Sequence, residues 1–381
     1  MLDNDGSADL LETVREAVDQ QTPIRVLGGG SKASLGQRST SDATGIVLNT
    51  RAHEGIISYD PTELVVSVRA GTVLADLTRA LAEHGQMLPF DPPEWSGATI
   101  GGVLACGLSG PRRPFSGSAR DYVLGTRIIN GQAQDLRFGG EVMKNVAGYD
   151  VSRVQIGAWG TLGVLLDVSM KVLPLPELEL TVQQHGKSRD LEAFARLMRQ
   201  PLPLSGAMLI DEDRYIRLSG SESAVRAAAS ELGGEIMSDN SIWHSVRDHT
   251  HPYFREAYKA ASDGKTLWRI SVADYAPILG LSGHWLYEWG GGQRWLLSAL
   301  PADEVFRVVA AANGHAMRYS TAQSAGENTT NTEDPAFQPL TGGMQRLQSR
   351  VRDSFDPLRL FNRGRFHPEL DISPELIATG T

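Results

Sequence analysis

A dense cluster of glycines constrains this chain more than any other feature of its sequence. Residues 97–125, GATIGGVLACGLSGPRRPFSGSARDYVLG, hold seven glycines and three arginines in 29 positions. Glycine weakens the interior of helices and strands because its backbone loses the most conformational freedom on folding. A cluster of this density predicts a loop, or a set of tight turns, whose backbone closely approaches a ligand or another backbone.

Two smaller glycine clusters lie on either side of it in the sequence. RVLGGGSK (25–32) follows a short strand pattern, and IGAWGTLGVL (156–165) forms a turn between strand patterns. Backbone amides exposed after a strand bind phosphate, and Ser31 and Lys32 add a hydroxyl donor and a positive charge. The first cluster has neither Walker P-loop nor GxGxxG spacing, so by itself it is most simply a plain turn. Three clusters together predict a long ligand with a pyrophosphate and flat rings, such as a dinucleotide.

Composition excludes several classes of function. The chain has 381 residues, a formal net charge of −9 and a single cysteine, Cys106. This length predicts two domains, and the acidity argues against nucleic acid or an anionic membrane as partner. One cysteine forms no internal disulfide and cannot hold an iron–sulfur cluster alone, and no metal site is predicted. Neither a signal peptide nor an apolar run of about 18 residues is found, so we expect a cytoplasmic protein without a membrane span.

The hydrophobic pattern predicts a mixture of helices and strands. Helices are expected over 8–20 and 73–85, and Asn130-Gly131 is expected to be the turn of a hairpin. The second half repeats the order strand, turn, strand, helix, strand, which we interpret as a duplicated α+β module. The polar residues 320–338 are expected to form a mobile surface loop.

The order and spacing of the three glycine clusters resemble those of the PCMH-type (vanillyl-alcohol oxidase type) flavin-binding domain, for which GATIGG and GTLGV are the most specific pieces. EVMKNVAGYDVSRVQIGAWGTLGVL, LWRISV, HWLYEWGGGQRWL and FDPLRLFNRGRF are similar to the FAD-binding subunit of bacterial glycolate oxidase. The resemblance implies an α+β fold with a two-part FAD-binding domain over 1–176 and an α+β cap domain over 177–338. Residues 339–381 would return to the FAD domain.

The resemblance also implies which residues hold FAD. The first loop would wrap the pyrophosphate, the second cluster would lie beside the flavin ring and ribityl chain, and the third would bracket the adenine half. In the family the C-terminal turn reads FNPG and returns to the flavin; here it is FNRG, so a looser turn is expected. The implied residues are Gly28, Gly29, Gly30, Ser31 and Lys32; Pro92, Gly97, Ala98, Thr99, Gly102, Gly107, Ser109, Gly110, Arg120 and Asp121; Gly157, Gly160, Thr161, Gly163 and Val164; and Asn362.

The FAD is expected to be non-covalent. Covalent members of the wider family place a histidine in or near the first loop, where this chain has Ser31, and Cys106 is better explained as a small buried thiol. The related 2-hydroxy acid dehydrogenases carry a GDGNxH-like signature that is absent here. His249 and His251 are the nearest substitute, and polar surface residues explain them better than a metal site does. The catalytic residues stay unassigned.

Three functions stay open. The resemblance favours an FAD-bearing subunit of a glycolate oxidase complex, partnered by a larger homologous flavoprotein and an iron–sulfur subunit. That complex would oxidise glycolate to glyoxylate, and any attachment to the inner membrane would be made through its partners. A free-standing 2-hydroxy acid dehydrogenase would need an anion-binding arginine, for which Arg217, Arg269 and Arg294 are available. A non-catalytic scaffold subunit is the third, suggested by the three tryptophans of HWLYEWGGGQRWL.

Overall fold

The computed structural model describes residues 4–37, 45–140, 150–186, 190–260, 263–319 and 335–371. The helices in this part of the chain are α1 Ser7–Asp19, α2 Leu74–Ala82, α3 Ile100–Cys106, α4 Arg113–Ser116, α5 Ala119–Tyr122, α6 Leu191–Leu197, α7 Glu222–Leu232, α8 Ser241–Arg247, α9 Pro252–Ala260, α10 Ala302–Ala311 and α11 Gly342–Phe355. The strands are β1 Ile24–Leu27, β2 Ile46–Asn49, β3 Ile56–Asp60, β4 Val65–Arg69, β5 Gln86–Met87, β6 Val123–Ile129, β7 Asp135–Gly139, β8 Val164–Lys171, β9 Leu173–Pro174, β10 Leu178–Gln184, β11 Leu204–Ile210, β12 Asp213–Gly220, β13 Glu235–Ile236, β14 Thr266–Ser271, β15 His284–Glu288, β16 Gln293–Ser298 and β17 His315–Tyr319. Within these residues no helix is long and apolar enough to cross a membrane.

The first half of the chain is built on a five-stranded antiparallel sheet in the order β3-β4-β8-β6-β7. Side chains on one face of this sheet, including Val66, Val68 and Ile128, pack against α2 and α3. A parallel pair, β1 and β2, is covered by α1, whose Leu10, Val14 and Ala17 are buried. This pair positions the first glycine loop, because that loop begins directly after β1.

The second half forms one eight-stranded antiparallel sheet in the order β13-β10-β12-β11-β15-β16-β14-β17. Strands β10 to β13 and strands β14 to β17 follow the same order outward from the sheet centre, where β11 pairs with β15. The topology thus contains twice the order strand, strand, helix, strand that the sequence indicated, with α7 and α10 as equivalent helices. Helices α8 and α9 cover the opposite face, around Trp243, Phe254 and Trp295.

Two local predictions are wrong. The hairpin of β6 and β7 is real, but its loop spans 130–134 because the Asn130 side chain accepts hydrogen bonds from the amides of Gln132 and Gln134. The glycine-rich stretch 97–125 is not a continuous loop, since it contains α3, α4 and α5.

Two predicted segments lie outside the described residues, in whole or in part. They are residues 141–149 of the string that resembles the glycolate oxidase subunit, and residues 320–334 of the predicted mobile loop. Residues 335–338 pack against the protein, with Ala336 buried.

The C-terminal segment returns to the first glycine loop. The Leu360 carbonyl accepts a hydrogen bond from the Ile24 amide at 2.8 Å, and the Asn362 amide donates to the Ile24 carbonyl at 2.8 Å. The Asp356 carboxylate is fully buried and accepts from the amides of Leu360 and Phe361. The FNRG turn is therefore held along β1, and the expectation that it is looser than an FNPG turn stays a prediction.

Candidate functional site: a glycine-lined cleft

A cleft enclosing about 880 Å³, counting its opening to solvent, lies between β1, α3 and the C-terminal turn. Its walls carry mostly glycine and small side chains, and the loop 28–32 forms one of them. The site is therefore a surface of exposed backbone, which suits a ligand held by main-chain donors.

The loop after β1 presents backbone amides that have no acceptor among the residues that the structure describes. Within the described residues, the amides of Gly28, Gly29, Gly30 and Ser31 donate no hydrogen bond to another protein group. Successive free amides that line a cleft form an anion-binding surface. This donor set fits a phosphate or pyrophosphate, because such groups offer many acceptor oxygens.

The same loop lies backbone to backbone against the turn before α3. A Cβ atom added to Gly29 would lie 1.6 Å from the Gly97 carbonyl oxygen, and one added to Gly28 would lie 2.4 Å from Thr99 Oγ1. Glycine is thus required here for a close approach of two loops within the protein. The first and second glycine clusters therefore form one wall of the cleft.

Helix α3 begins and ends at residues suited to those positions. Thr99 is its N-cap, with Oγ1 accepting from the Gly102 amide at 3.2 Å, and Gly107 ends it at φ 63°. Position 101 requires glycine, because a Cβ there would lie only 2.7 Å from the Ala70 Cβ. The glycines of GATIGG therefore let a short helix pack tightly on the turn after β4.

Asn362 joins three parts of the cleft wall. Its Oδ1 accepts from the Val26 amide at 2.8 Å, and its Nδ2 donates to the Trp159 carbonyl at 2.8 Å. Its backbone has φ 43°, in the left-handed region that asparagine tolerates better than most residues. The C-terminal turn therefore fixes β1 against the third glycine cluster.

Lys32 is a buried cation in the cleft wall. Its side chain is buried, Nζ is 3.1 Å from Ser31 Oγ, and Nζ lies 5.4 Å from the centre of the Trp95 ring. Burial lowers the pKa of Lys32 to about 8. Cys106 also lines the cleft, and burial raises the pKa of its thiol. An anion bound in the cleft would compensate the lysine charge, since no carboxylate among the described residues pairs with it.

Ten of the predicted residues meet in this cleft, and eleven lie elsewhere. Gly97 and Ala98 lie behind the cleft wall, Gly107 and Gly157 approach each other at the end of α3, and Ser109 and Gly110 face a second cavity. Arg120 and Asp121 are exposed, and Asp121 belongs to the capping box of α5. The residues in the cleft are Gly28, Gly29, Gly30, Ser31, Lys32, Thr99, Gly102, Gly160, Gly163 and Asn362; the others outside it are Pro92, Thr161 and Val164.

Sequence reasoning missed several lining residues, namely Arg25, Thr50, Ala70, Cys106, Trp159 and Arg365. Trp159 precedes a predicted glycine, so its position in the third cluster was the available signal. Arg365 follows the FNRG turn, and its guanidinium donates to the carbonyls of Lys32 and Ala33. Thr50 and Ala70 come from separate strand ends, and no local pattern indicates that they meet. Among the described residues, no three His, Cys, Asp or Glu side chains are grouped as a metal site would require.

Comparison with known proteins gives the family. The model of the FAD binding domain family matches residues 5–139. The chain is 44% identical over 368 residues to glycolate oxidase subunit GlcE of Escherichia coli (strain K12), which covers 96% of this chain and 99% of GlcE. It is 30% identical over 268 residues to a D-lactate dehydrogenase of Archaeoglobus fulgidus, covering 70% of this chain and 57% of that enzyme.

The fold has solved counterparts. A structure of alkyldihydroxyacetonephosphate synthase superposes with a TM-score of 0.66 at 14% identity, covering 93% of this chain and 75% of that one. At this identity the similarity concerns the fold alone. It confirms, together with the matched domain, the predicted α+β class with a PCMH-type FAD-binding domain. The chain belongs to the GlcE family of FAD-binding glycolate oxidase subunits.

Proposed function

We propose that this chain is the FAD-bearing subunit of a glycolate oxidase complex that converts glycolate to glyoxylate. The observation that carries the proposal is 44% identity to GlcE over nearly the whole of both chains. A 32% identity over 164 residues to glycolate oxidase subunit GlcD of Bacillus subtilis, covering 43% of this chain and 34% of GlcD, supports a homologous flavoprotein partner. An iron–sulfur partner receives the electrons, and the complex works in the cytoplasm, with membrane contact only through partners.

The residues of the cleft fit FAD. The free amides of loop 28–32 and the buried Lys32 are donors that match the negative pyrophosphate. The bound flavin supplies the capacity to accept a hydride from the α-carbon of a hydroxy acid. The task of this chain's residues is to orient the cofactor, exclude water from one side and compensate its charge. The predicted residues outside the cleft are proposed as the wider contact surface for the flavin ring and the adenine of FAD. They are Pro92, Gly97, Ala98, Gly107, Ser109, Gly110, Arg120, Asp121, Gly157, Thr161 and Val164.

We propose that FAD is held non-covalently. Within the described residues no histidine lines the cleft, and Cys106 is the one thiol in the sequence. Burial raises the pKa of the Cys106 thiol and so disfavours the thiolate, which is the nucleophilic form. Acid precipitation of the purified chain should therefore release all of its flavin into the supernatant. Flavin retained in the protein pellet would contradict this part of the proposal.

The main test is a visible spectrum of the purified full chain, before and after anaerobic addition of glycolate and of the partner subunits. We expect a flavin band with one FAD per chain, and complete bleaching by glycolate in the assembled complex. A chain that binds no FAD after reconstitution would overturn the proposal. Repeated turnover of glycolate with a soluble acceptor and no partner would instead support a free-standing dehydrogenase.

FAD affinity should depend on the protonation of Lys32. Its pKa is about 8 in the protein and rises when an anion binds beside it, so FAD binding takes up protons. Affinity is then full below pH 8 and falls by roughly tenfold for each pH unit above it, until the pKa of the bound state is reached. Fluorescence titration of FAD between pH 6.5 and 9.5 measures this.

The matched variant is Lys32→Met, which keeps the length of the side chain and removes its charge. We expect weaker FAD binding at pH 7 and no fall in affinity between pH 8 and 9. A wild-type profile that stays flat over this range, or a variant profile that keeps the same slope, would show that Lys32 does not face the anionic part of FAD.

A further inference from the structure

Helix α11 and the turn that follows it are basic in an otherwise acidic protein. Residues 342–365 hold six arginines, two aspartates and no other charged residue, whereas the whole chain has a formal net charge of −9. A local reversal of charge of this kind attracts an acidic surface. The end of this stretch, through Asn362 and Arg365, lines the glycine-lined cleft. The positive charge therefore lies on the side of the protein that holds the cleft.

The N-terminal half of α11 exposes apolar side chains and partly buries polar ones. Met344 is 45% exposed and Leu347 is 56% exposed, whereas Gln345 and Gln348 are half-buried. A helix that packs on a core normally shows the reverse distribution. Packing within the chain therefore does not explain why apolar side chains lie on the outside of this helix.

Two exposed arginines lie on the same side of α11 as Leu347. Arg346 and Arg350 are four residues apart, so they are neighbours along one side of the helix. Within the described residues, no carboxylate oxygen lies within 4.0 Å of either guanidinium, because the ion pairs of this segment belong to two other arginines. We call the surface formed by Met344, Arg346, Leu347 and Arg350 the outer α11 face.

The other side of α11 is fixed to the wall of the cleft. Arg352 Nη2 donates to the Phe361 carbonyl at 3.0 Å, and the same guanidinium pairs with Asp371. At the end of the helix, the Phe355 carbonyl accepts from the Gly131 amide at 2.7 Å. Since the residue after Phe361 lines the cleft, a protein bound to the outer α11 face would be attached to the element that forms the cleft wall.

A second copy of this chain and an anionic membrane are both poor occupants of the outer α11 face. A two-fold dimer through this face would place its arginines against the same arginines of the other copy. A helix that lies on a membrane separates its charged side from its apolar side, whereas Arg346 and Leu347 share one side here. The net charge of −9 also opposes approach to an anionic membrane. Apolar side chains with arginine beside them are typical of protein interfaces.

We propose that the outer α11 face binds an acidic protein surface with an apolar centre, carried by a partner subunit of the complex. Met344 and Leu347 then pack against the apolar centre, and Arg346 and Arg350 pair with carboxylates around it. That the partner is a subunit of the complex rests on the proposed function, whereas the acidity of its surface rests on the two arginines. Docking at this face brings that subunit to the side of the chain where the cleft lies.

The first test is photo-crosslinking in the assembled complex. The FAD-loaded full chain, with p-benzoylphenylalanine in place of Leu347, is mixed with the purified flavoprotein and iron–sulfur subunits. We expect one of the two subunits to be linked, through a peptide rich in Asp and Glu. The control places the same photoreactive residue at Ile236, which is 53% exposed on β13. Its yield should be below about a tenth of that from position 347, because single exposed apolar residues are common on protein surfaces.

Charge reversal gives a second test. Arg350→Glu should weaken the binding of the linked subunit roughly tenfold at low salt, and about 0.5 M NaCl should remove most of the difference from the wild-type chain. The matched control is Arg307→Glu, which reverses an exposed arginine on α10. Its affinity should change by less than about threefold. FAD content should be the same in all three chains, because neither arginine lines the cleft.

The outcomes distinguish this inference from the proposed function. A chain that loads FAD and assembles with both subunits, but gives no cross-link from position 347, overturns the inference and leaves the proposed function standing. A chain that cannot load FAD, yet is linked from position 347 to an acidic peptide of a subunit, supports the inference and overturns the proposed function. Equal losses of affinity in the two charge-reversal variants would overturn the inference. So would a cross-link to a second copy, or an outer α11 face that binds phosphatidylglycerol vesicles and neither subunit.

Discussion

Gly29→Ala abolishes FAD binding and lowers the stability of the FAD-free chain as well. The added Cβ would lie 1.6 Å from the Gly97 carbonyl oxygen and 2.6 Å from its carbon, and neither atom belongs to a side chain that could turn away. The loop after β1 must therefore move away from the turn before α3, which disrupts the cleft wall that the two segments form together. We expect FAD affinity to fall at least 100-fold and the free energy of unfolding to fall by about 1–3 kcal/mol, as in other overpacked sites.

Fluorescence titration with FAD and thermal melting, with and without FAD, measure both effects. The control is Gly280→Ala, where an added Cβ would meet nothing within 4 Å and the position is exposed. It should match the wild-type chain in both measurements. If Gly29→Ala lowers FAD affinity while the FAD-free melting temperature is unchanged, the side chain obstructs the ligand and not the contact between loops. An unchanged affinity would show that this loop does not bind FAD.

The sequence predicts where the first glycine loop lies, but not what its glycines contact. The strand IRVL ending at three glycines is a local pattern, and β1 indeed ends at Leu27 before Gly28. The partner that requires glycine at position 29, Gly97, lies far along the chain, so no local pattern indicates the contact. From the sequence alone, the glycines suggest room for a ligand, whereas Gly29 makes room for another backbone and Gly28 for the Thr99 side chain.

Helix α3 shows why glycine content misled the prediction. Glycine has a low helix propensity, and Gly101 and Gly102 lie in the first turn of this helix. The close approach of Gly101 to Ala70, which a side chain would block, outweighs that cost. Tertiary packing of this kind has no signature in hydrophobic periodicity, whereas the strands of the five-stranded sheet do.

The meeting of Arg269, Glu288 and Tyr319 could not be located from the sequence for a related reason. The three residues come from three strands, and their meeting depends on the register of β14 with β16 and β17 and of β15 with β16. From the sequence alone, Arg269, Arg217 and Arg294 are equally available as anion-binding cations. The structure separates them, because Arg294 donates to the carbonyls of Gly291, Pro277 and Ala276. Arg217 is paired with Asp91.

The pairing of Asp91 with Arg217 gives the second large effect. Arg217 is 2% exposed, and its Nη2 lies 3.1 Å from Asp91 Oδ2; Arg247 Nη1 lies 3.5 Å from Oδ1. Burial alone would raise the pKa of Asp91, but the Arg217, Arg247 and Arg112 guanidinium groups outweigh it and hold the pKa below its usual range. This carboxylate therefore joins the loop before α3 to β12 and α8 of the eight-stranded sheet.

Asp91→Asn should lower the free energy of unfolding by about 3 kcal/mol, because it leaves a buried guanidinium without its counter-charge. Asparagine keeps the size of the side chain and tolerates the φ of 49° at this position, so the effect reports charge and not backbone strain. Urea unfolding at pH 7 measures the change. The control is Asp76→Asn, which removes an exposed ion pair with Arg79 at 3.0 Å and should cost less than about 1 kcal/mol.

The pH dependence gives a second readout of the same interaction. Since the pKa of Asp91 is lower in the folded chain than in the unfolded chain, its contribution is complete above pH ~4 and is lost as the pH falls through the folded-state value. The stability difference between the wild-type chain and Asp91→Asn should therefore be largest near neutral pH and shrink in acid. A difference that stays constant from pH 7 to pH 3 would mean that the variant acts through packing. In that case the buried charges do not hold the loop before α3 against the eight-stranded sheet.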